Sequence, residues 1–259
     1  SYNTAVIMRG HLRKLKHNLD KKNNVQYRFA LIDSKYASLQ NDSKTPVEED
    51  YLVEVELNDL LGKKIKLEYQ DQINCISCGR KTNKSFNQGY CYPCLNTKAE
   101  CDVCIIKPEL CHFDQGTCRD NEFAQNYCNI NHSIYLSLTS GLKIGITRQN
   151  QERTRWVDQG AHYAIKLAKT PNRYLAGMIE VELSKYISDR TKWRQMIQGK
   201  YEMINLLERK RELLSKIPKE YQEYIINEDE LVKLEYPMND IPEKIKSFNL
   251  DKNPELSGI

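Results

Sequence analysis

The sequence predicts an α+β protein. Three observations carry that expectation. Several short segments alternate apolar and polar residues, the period of a half-buried strand. Later segments carry apolar stripes at helical spacing. All nine cysteines fall between Cys75 and Cys128, which sets a loop-rich module between the two. The expected order is an N-terminal β-rich domain (1–74), a Cys-rich module (75–132), a ββαβα unit (133–200) and a helical and extended C-terminal region (201–259).

The 259 residues are 40% hydrophobic and 29% charged, which fits a folded chain and excludes bulk disorder. No apolar run reaches the ~18 residues of a membrane span. Ser1-Tyr2-Asn3-Thr4 opens without a basic-then-apolar leader, so a cytoplasmic location is expected. The net charge of +4 permits nucleic acid as a partner without demanding it.

Taken in order, Val25–Leu31, Tyr51–Val55 and Ile65–Tyr69 alternate and read as strands of a small sheet or partial barrel. Asn41–Pro46 is a polar linker expected to be mobile. Ser133–Leu138 and Leu142–Thr147 flank Thr139-Ser140-Gly141 as a hairpin. Glu152–Gly160 suits a helix ended by Gly160, and Tyr163–Ala168 a third strand. Pro171-Asn172 opens a helix with Leu175, Ile179 and Leu183 on one face. Asp189 or Thr191 caps the next helix start, near Trp193. Residues 201–217 form a charged helix with Ile204, Leu207 and Leu214 as its stripe; Arg209-Lys210-Arg211, flanked by Glu208 and Glu212, reads as a solvated face. The terminal segment Asp251–Ile259 is expected to pack against the N-terminal sheet, whose strands need partners.

An odd number of cysteines in a chain without an export leader points to metal thiolates rather than disulfides. Cys75-x-x-Cys78 and Cys91-x-x-Cys94 are two knuckles, each aiming two sulfurs at one point, and together they suit a tetrahedral zinc. Seven further candidates follow: Cys101, Cys104, Cys111, His112, Cys118, Cys128 and His132. They exceed one four-coordinate site. Cys128-x-x-x-His132 is one ligand pair, completed by Cys104 with Cys111 or His112; Cys101 with Cys104 is the competing pair. Full thiolate coordination leaves no open position, so two structural zinc ions are expected and neither is catalytic.

From Ser133 to Trp193 the sequence resembles the GIY-YIG nuclease superfamily. Ser133-Ile134-Tyr135 stands where the motif has Gly-Ile-Tyr, and Lys143-Ile144-Gly145 where it has Tyr-Ile-Gly. The first glycine and second tyrosine are absent. A broader resemblance covers nearly the whole chain: Cys75–Thr82, Gly89–Cys94, Lys107–His112, Gly116–Asp120, Lys143–Arg148 and Arg155–Ala161 are similar to the bacterial proteins grouped as domain of unknown function 2797. That resemblance implies Cys104, Cys111-His112, Cys128 and His132 as the core of the second metal site. It also implies a further β segment beyond Ile259 in relatives, and so a C-terminus here that is truncated or disordered.

The nuclease-like resemblance implies four catalytic candidates, Tyr135, Lys143, Arg155 and Glu180, with Arg153 as an alternative to Arg155. Phosphodiester hydrolysis needs an activated water, a cation on the phosphate and stabilisation of developing charge. Glu180 suits one Mg²⁺ or Mn²⁺, which keeps most of its waters. Tyr135 would accept a proton if Lys143 lowered its pKa, and Arg155 would grip a phosphate bidentately. Arg148, Arg153 and Lys166 would add nucleic-acid contacts. The structural alternatives are a Tyr135 that walls the sheet, a solvated Lys143, an Arg155–Asp158 pair and a Glu180 paired with Arg173 or Lys185. Trp156 and Trp193 read as core or helix-docking residues. The expected groove is open to solvent. The leading function is a metal-dependent endonuclease on DNA or RNA; the alternatives are a non-catalytic nucleic-acid-binding protein and a protein-interaction scaffold.

Overall fold

A computed structural model describes residues 6–39, 48–188 and 191–259. The linker at Asn41–Pro46 and the cap at Asp189 lie outside the described residues. The chain forms two compact units. The first holds residues 1–18, 26–97 and 246–259, and the second holds 19–25 and 98–245. The Cys-rich stretch is therefore cut between Thr97 and Lys98, and the two CxxC knuckles belong to a different unit from the remaining cysteines.

In the first unit, β3 (Val25–Ile32) is the centre of a sheet and pairs with β1 (His11–Leu12), β2 (Lys16–Leu19) and β4 (Leu52–Glu56). Ala30 and Ile32, two apart, are buried on one face as the alternation requires. Helix α1 (Ser34–Leu39) follows β3. Strand β5 (Ile65–Glu68) takes another partner, the C-terminal strand Glu255–Gly258, with Leu67 opposite Leu256. The tail thus supplies one of the two expected partners, while β3 finds its own locally. The alternation in β5 marks no core face, because all four of its residues are exposed. β6 (Ile73–Asn74) and β7 (Lys81–Thr82) form a short ladder around the first knuckle, and α2 (Tyr92–Thr97) carries the second.

The second unit is built on an antiparallel sheet in the order β11-β10-β8-β9: β8 (His132–Leu138), β9 (Leu142–Arg148), β10 (Tyr163–Thr170) and β11 (Val232–Lys233). After the short α3 (Asn121–Phe123), helices α4 (Glu152–Asp158) and α5 (Arg173–Ser184) complete the ββαβα order. α6 (Trp193–Ile197) and α7 (Leu206–Leu214) follow. The hairpin closes with Thr139 N donating to Gly141 O at 3.0 Å. Gly160 ends α4 at φ 68°, a left-handed conformation that suits glycine. Asn172 caps α5, accepting from Leu175 N at 2.8 Å. β8 is buried along its whole length. Ile134, Leu136 and Leu138 join Ala176, Ile179 and Leu183 of α5 in one core.

Two surface expectations change. In α7 the buried stripe is Leu206 and Leu213, with Ile204, Leu207 and Leu214 only partly covered. Lys210, read as solvated, is 1% exposed. Its ammonium donates to Glu228 O at 2.6 Å and lies 3.4 Å from an Asp229 oxygen. A buried ammonium needs such partners, because desolvation without them costs several kcal/mol. Lys210→Ala is expected to destabilise the second unit by about 2–4 kcal/mol, through lost stem packing and an orphaned carbonyl. Chemical denaturation checks this; a change below about 0.5 kcal/mol would return Lys210 to the surface class. Trp156 is core, 2% exposed, whereas Trp193 is 40% exposed beneath the Arg194 guanidinium.

Candidate metal centre and catalytic cluster

The two knuckles converge. Cys75, Cys78, Cys91 and Cys94 bring their sulfurs within 4.8 Å of one another. Backbone geometry sets this up. Gly79 N donates to Cys75 O at 2.9 Å, Gly79 adopts φ 74°, and Ile76 N donates to Gly89 O at 2.9 Å, tying one knuckle to the other. The Cys78 and Cys91 sulfurs are 3.7 Å apart. Tetrahedral thiolate around zinc, at about 2.3 Å per bond, requires sulfurs about 3.8 Å apart. The donor set therefore fits a metal such as zinc. Burial pushes the Cys75 thiol up, but the N–H groups of Cys78, Cys91 and Ser77 outweigh it and bring it down to about 6. Burial, reinforced by neighbouring thiols, pushes Cys94 up to about 12. Four adjacent sulfurs resist joint ionisation, and a divalent cation removes that resistance. Arg80 Nε, 3.1 Å from the Cys78 sulfur, offsets part of the remaining negative charge.

The four catalytic candidates are near neighbours in the second unit, but not in an open groove. Tyr135 is fully buried at the centre of β8. It packs edge-on against Trp156 with ring centroids 5.9 Å apart, and its hydroxyl donates to Gln159 Oε1 at 2.6 Å. Gly145 sits opposite Tyr135 across the β8–β9 ladder, and a Cβ there would run into the Tyr135 hydroxyl and ring. Gly145 thus leaves the space that the Tyr135 ring and hydroxyl occupy. Gly145→Ala is expected to cost about 1–3 kcal/mol, the range of overpacked cores. Adding Tyr135→Leu should recover much of the loss; thermal unfolding of both variants decides, and equal losses would disprove the clash.

Desolvation pushes Tyr135 up to about 12, although Arg155 beside it pulls the other way. The expected phenolate base, activated by Lys143, is therefore corrected: the hydroxyl stays protonated at neutral pH, and its nearby cation is Arg155. Burial also raises the Glu180 carboxyl above its ordinary range, partly opposed by Arg173, Lys143 and Arg155, while Glu109 adds to the rise. Lys185 pairs with Glu182 instead, at 2.7 Å. Arg155 is exposed, and Lys143 and Glu180 are half-buried. Ser133 donates to Glu152 Oε1 at 2.7 Å.

The outlying basic candidates are spread around this cluster. Lys166 pairs directly opposite Tyr135. Arg148 lies over the Tyr127 ring, 4.6 Å from its centroid, with Arg173 5.9 Å from the same centroid. Arg153 donates to Asn23 Oδ1 at 2.5 Å and reaches Glu230 at 3.5 Å. Gln159, at the end of the helix bearing Arg155, is the partner of the Tyr135 hydroxyl.

The second group of metal candidates is split. Cys104, Cys111 and Cys128 line one small cavity, together with Cys118. His132 does not line it. Its Nδ1–H donates to Ile130 O at 2.8 Å, its Nε2 is buried without a partner, and burial is the main cause that brings its pKa down to about 4. Asp102, missed in sequence because attention went to cysteine and histidine, lies within 4.8 Å of both Cys104 and His112.

Taken together, these features define an α+β protein with a thiolate centre in one unit and a ββαβα sheet unit bearing a buried tyrosine and a charged cluster in the other. Within that class, the chain belongs to the family described as "Protein of unknown function (DUF2797)", which it matches over residues 62–259. The match takes in every cysteine and the whole antiparallel sheet of the second unit, and begins after β4. No curated protein and no solved structure matches the chain. Among the described residues, no helix is long and apolar enough to cross a membrane.

Proposed function

We propose that the protein is a GIY-YIG-like, metal-dependent endonuclease that acts on nucleic acid phosphodiesters. One observation supports this above the others: Lys143, Arg155 and Arg173 lie around the Glu180 carboxylate, with Glu109 also near it, and Arg155 lies beside the Tyr135 hydroxyl. Three cations about two carboxylates, Glu180 and Glu109, leave a net positive charge suited to a phosphate. Arg155, the exposed member, grips the phosphate with two N–H groups. Lys143 and Arg173 stabilise charge that develops on the phosphate oxygens. Glu180 supplies the protein oxygen for Mg²⁺ or Mn²⁺, and the bound ion would lower the pKa of an attacking water. Tyr135 keeps its proton, hydrogen-bonds through it to Gln159 Oε1 and so fixes the C-terminal end of α4, the helix that carries Arg155. The zinc ions, one at Cys75, Cys78, Cys91 and Cys94 and a second among residues 98–132, hold structure and take no part in the reaction.

A second reading follows from the depth of Tyr135. A buried, capped and neutral hydroxyl suits a module that binds nucleic acid without cutting it. One assay separates the two: incubation with single- and double-stranded DNA and RNA and Mg²⁺ or Mn²⁺, alongside binding at several salt concentrations. Divalent-dependent cleavage supports the enzyme. Binding that weakens steeply with salt, without cleavage, supports the binding module. Salt-insensitive association with protein alone would leave only a scaffold. Arg155→Ala is expected to weaken binding roughly tenfold as well as turnover, since its charge-assisted contact forms before the reaction begins.

A further inference from the structure

At one end of the second unit's sheet, positive charge collects without ion pairing. Arg148 ends β9, directly opposite His132, the first residue of β8. His132 also pairs with Thr170, the last residue of β10, and Arg173 opens α5 three residues later. Both guanidiniums come to one aromatic ring, that of Tyr127, with centroid distances of 4.6 Å for Arg148 and 5.9 Å for Arg173. Among the described residues, neither arginine forms an ion pair. Arg173 also stands in the first turn of α5, where the helix dipole disfavours a cation. Two like charges drawn to one ring beside a positive helix end repel one another, and an anion relieves that repulsion.

The two arginines are held in place. Arg173 donates to Ile105 O. Tyr127, which braces both, stacks on Phe123 with ring centroids 4.8 Å apart and planes 17° from parallel. It lies in a π-helical turn, Ala124–Cys128, closed by Asn129 N donating to Ala124 O at 2.8 Å. Such turns are rare and occur frequently at functional sites. A guanidinium lying over a ring keeps its in-plane N–H groups available, and a fixed one loses little freedom on binding. Two buried polar atoms at this end of the sheet also lack partners among the described residues, Arg173 Nε and His132 Nε2. His132 is fully buried, and its Nδ1–H is spent on Ile130 O at 2.8 Å. Its Nε2 is thus an acceptor, near enough to Arg148 and Arg173 to feel both charges. Buried polar groups are normally bonded. An orphaned donor here calls for an anionic oxygen, and the orphaned acceptor for a water beside it.

We propose that Arg148 and Arg173, braced on Tyr127, form a second phosphate subsite, separate from the one at Glu180. Arg173 also acts on Glu180, which lies seven residues, about two turns, further along α5. The two places are therefore roughly 10 Å apart along the helix. On the nucleic-acid reading, on which this rests, the occupant is a neighbouring phosphate of the strand whose reacting phosphate sits at Glu180. Free phosphate offers the same chemistry, and the test separates the two sources.

The test is fluorescence anisotropy of labelled single- and double-stranded oligonucleotides across a salt series, without added Mg²⁺ or Mn²⁺, on the full chain and on Arg148→Gln and Arg148→Lys. Arg148→Gln should weaken binding roughly tenfold and lower the salt slope by about 0.7–0.9, the share of one phosphate. A purely structural arginine would leave the slope unchanged. Arg148→Lys keeps the charge without the fork, so it should weaken binding at an unchanged slope. It also carries the test if Arg148→Gln fails to fold. Unchanged affinity in either variant, while Arg155→Ala still weakens binding, would overturn the subsite and leave the nuclease-like reading standing. If the wild type binds no oligonucleotide, the nucleic-acid reading fails, and calorimetry with inorganic phosphate decides the subsite alone. Phosphate binding that Arg148→Gln weakens supports it with free phosphate as the occupant. Phosphate binding that is absent, or equal in wild type and variant, overturns it.

Discussion

Glu180→Ala is expected to abolish Mn²⁺-dependent cleavage, by roughly 10³-fold or more, with zinc content and fold unchanged. The size follows from the role: Glu180 is the carboxylate proposed to hold the ion, and losing that ion removes several kcal/mol of transition-state stabilisation. Glu180→Gln separates chemistry from structure. Burial raises the Glu180 pKa in the folded protein, so the fold favours the neutral carboxyl. A raised folded pKa means stability that is present below the unfolded carboxyl pKa and lost as pH rises through the folded one. At neutral pH the charged carboxylate is therefore a cost to the fold, and Glu180→Gln should be inactive yet more stable than wild type. Thermal unfolding at neutral and acid pH reads this directly, with the difference shrinking as pH falls. Equal cleavage by wild type and Glu180→Ala would show that the cutting came from a contaminant.

Cys78→Ser should have the largest structural effect. In small thiolate domains, metal binding and folding are one free energy, on the order of 10–16 kcal/mol. Removing one of four sulfurs forfeits a large part of that, against a typical total stability of about 5–15 kcal/mol. Among the described residues, Cys75, Cys91 and Cys94 are the buried members of their own small cluster, with Cys78 and Tyr90 packed against it. Hydrogen exchange should show residues 75–97 losing protection and one zinc ion leaving, while β8, β9 and β10 keep theirs. Full protection in the variant would mean that the metal does not support this part of the chain.

The parts legible in the sequence are those governed by local rules. Alternation and turn residues placed β8, β9 and β10, and Asn172 and Gly160 marked the start of α5 and the end of α4, because caps and turns answer to nearest neighbours. The CxxC spacing located four sulfurs that meet at one point, because each knuckle is a local turn. Lys210 was misread because its partners, Glu228 and Asp229, come from a distant loop that hydropathy alone does not bring near.

The sequence by itself determined the strand and helix order, the confinement of the thiols, and the residue types available for phosphate and metal. Tertiary structure alone decided three further matters. Pairing of the C-terminal strand with β5 depends on backbone hydrogen bonds between residues nearly 190 apart, for which local composition carries no signal. The state of Tyr135 depends on desolvation at the centre of a sheet buried on both faces, so a residue expected to ionise stays neutral. Which of seven candidate ligands share one cavity depends on how the turns between residues 99 and 128 fold together: Cys104, Cys111, His112, Cys118 and Cys128 line it, and His132 does not.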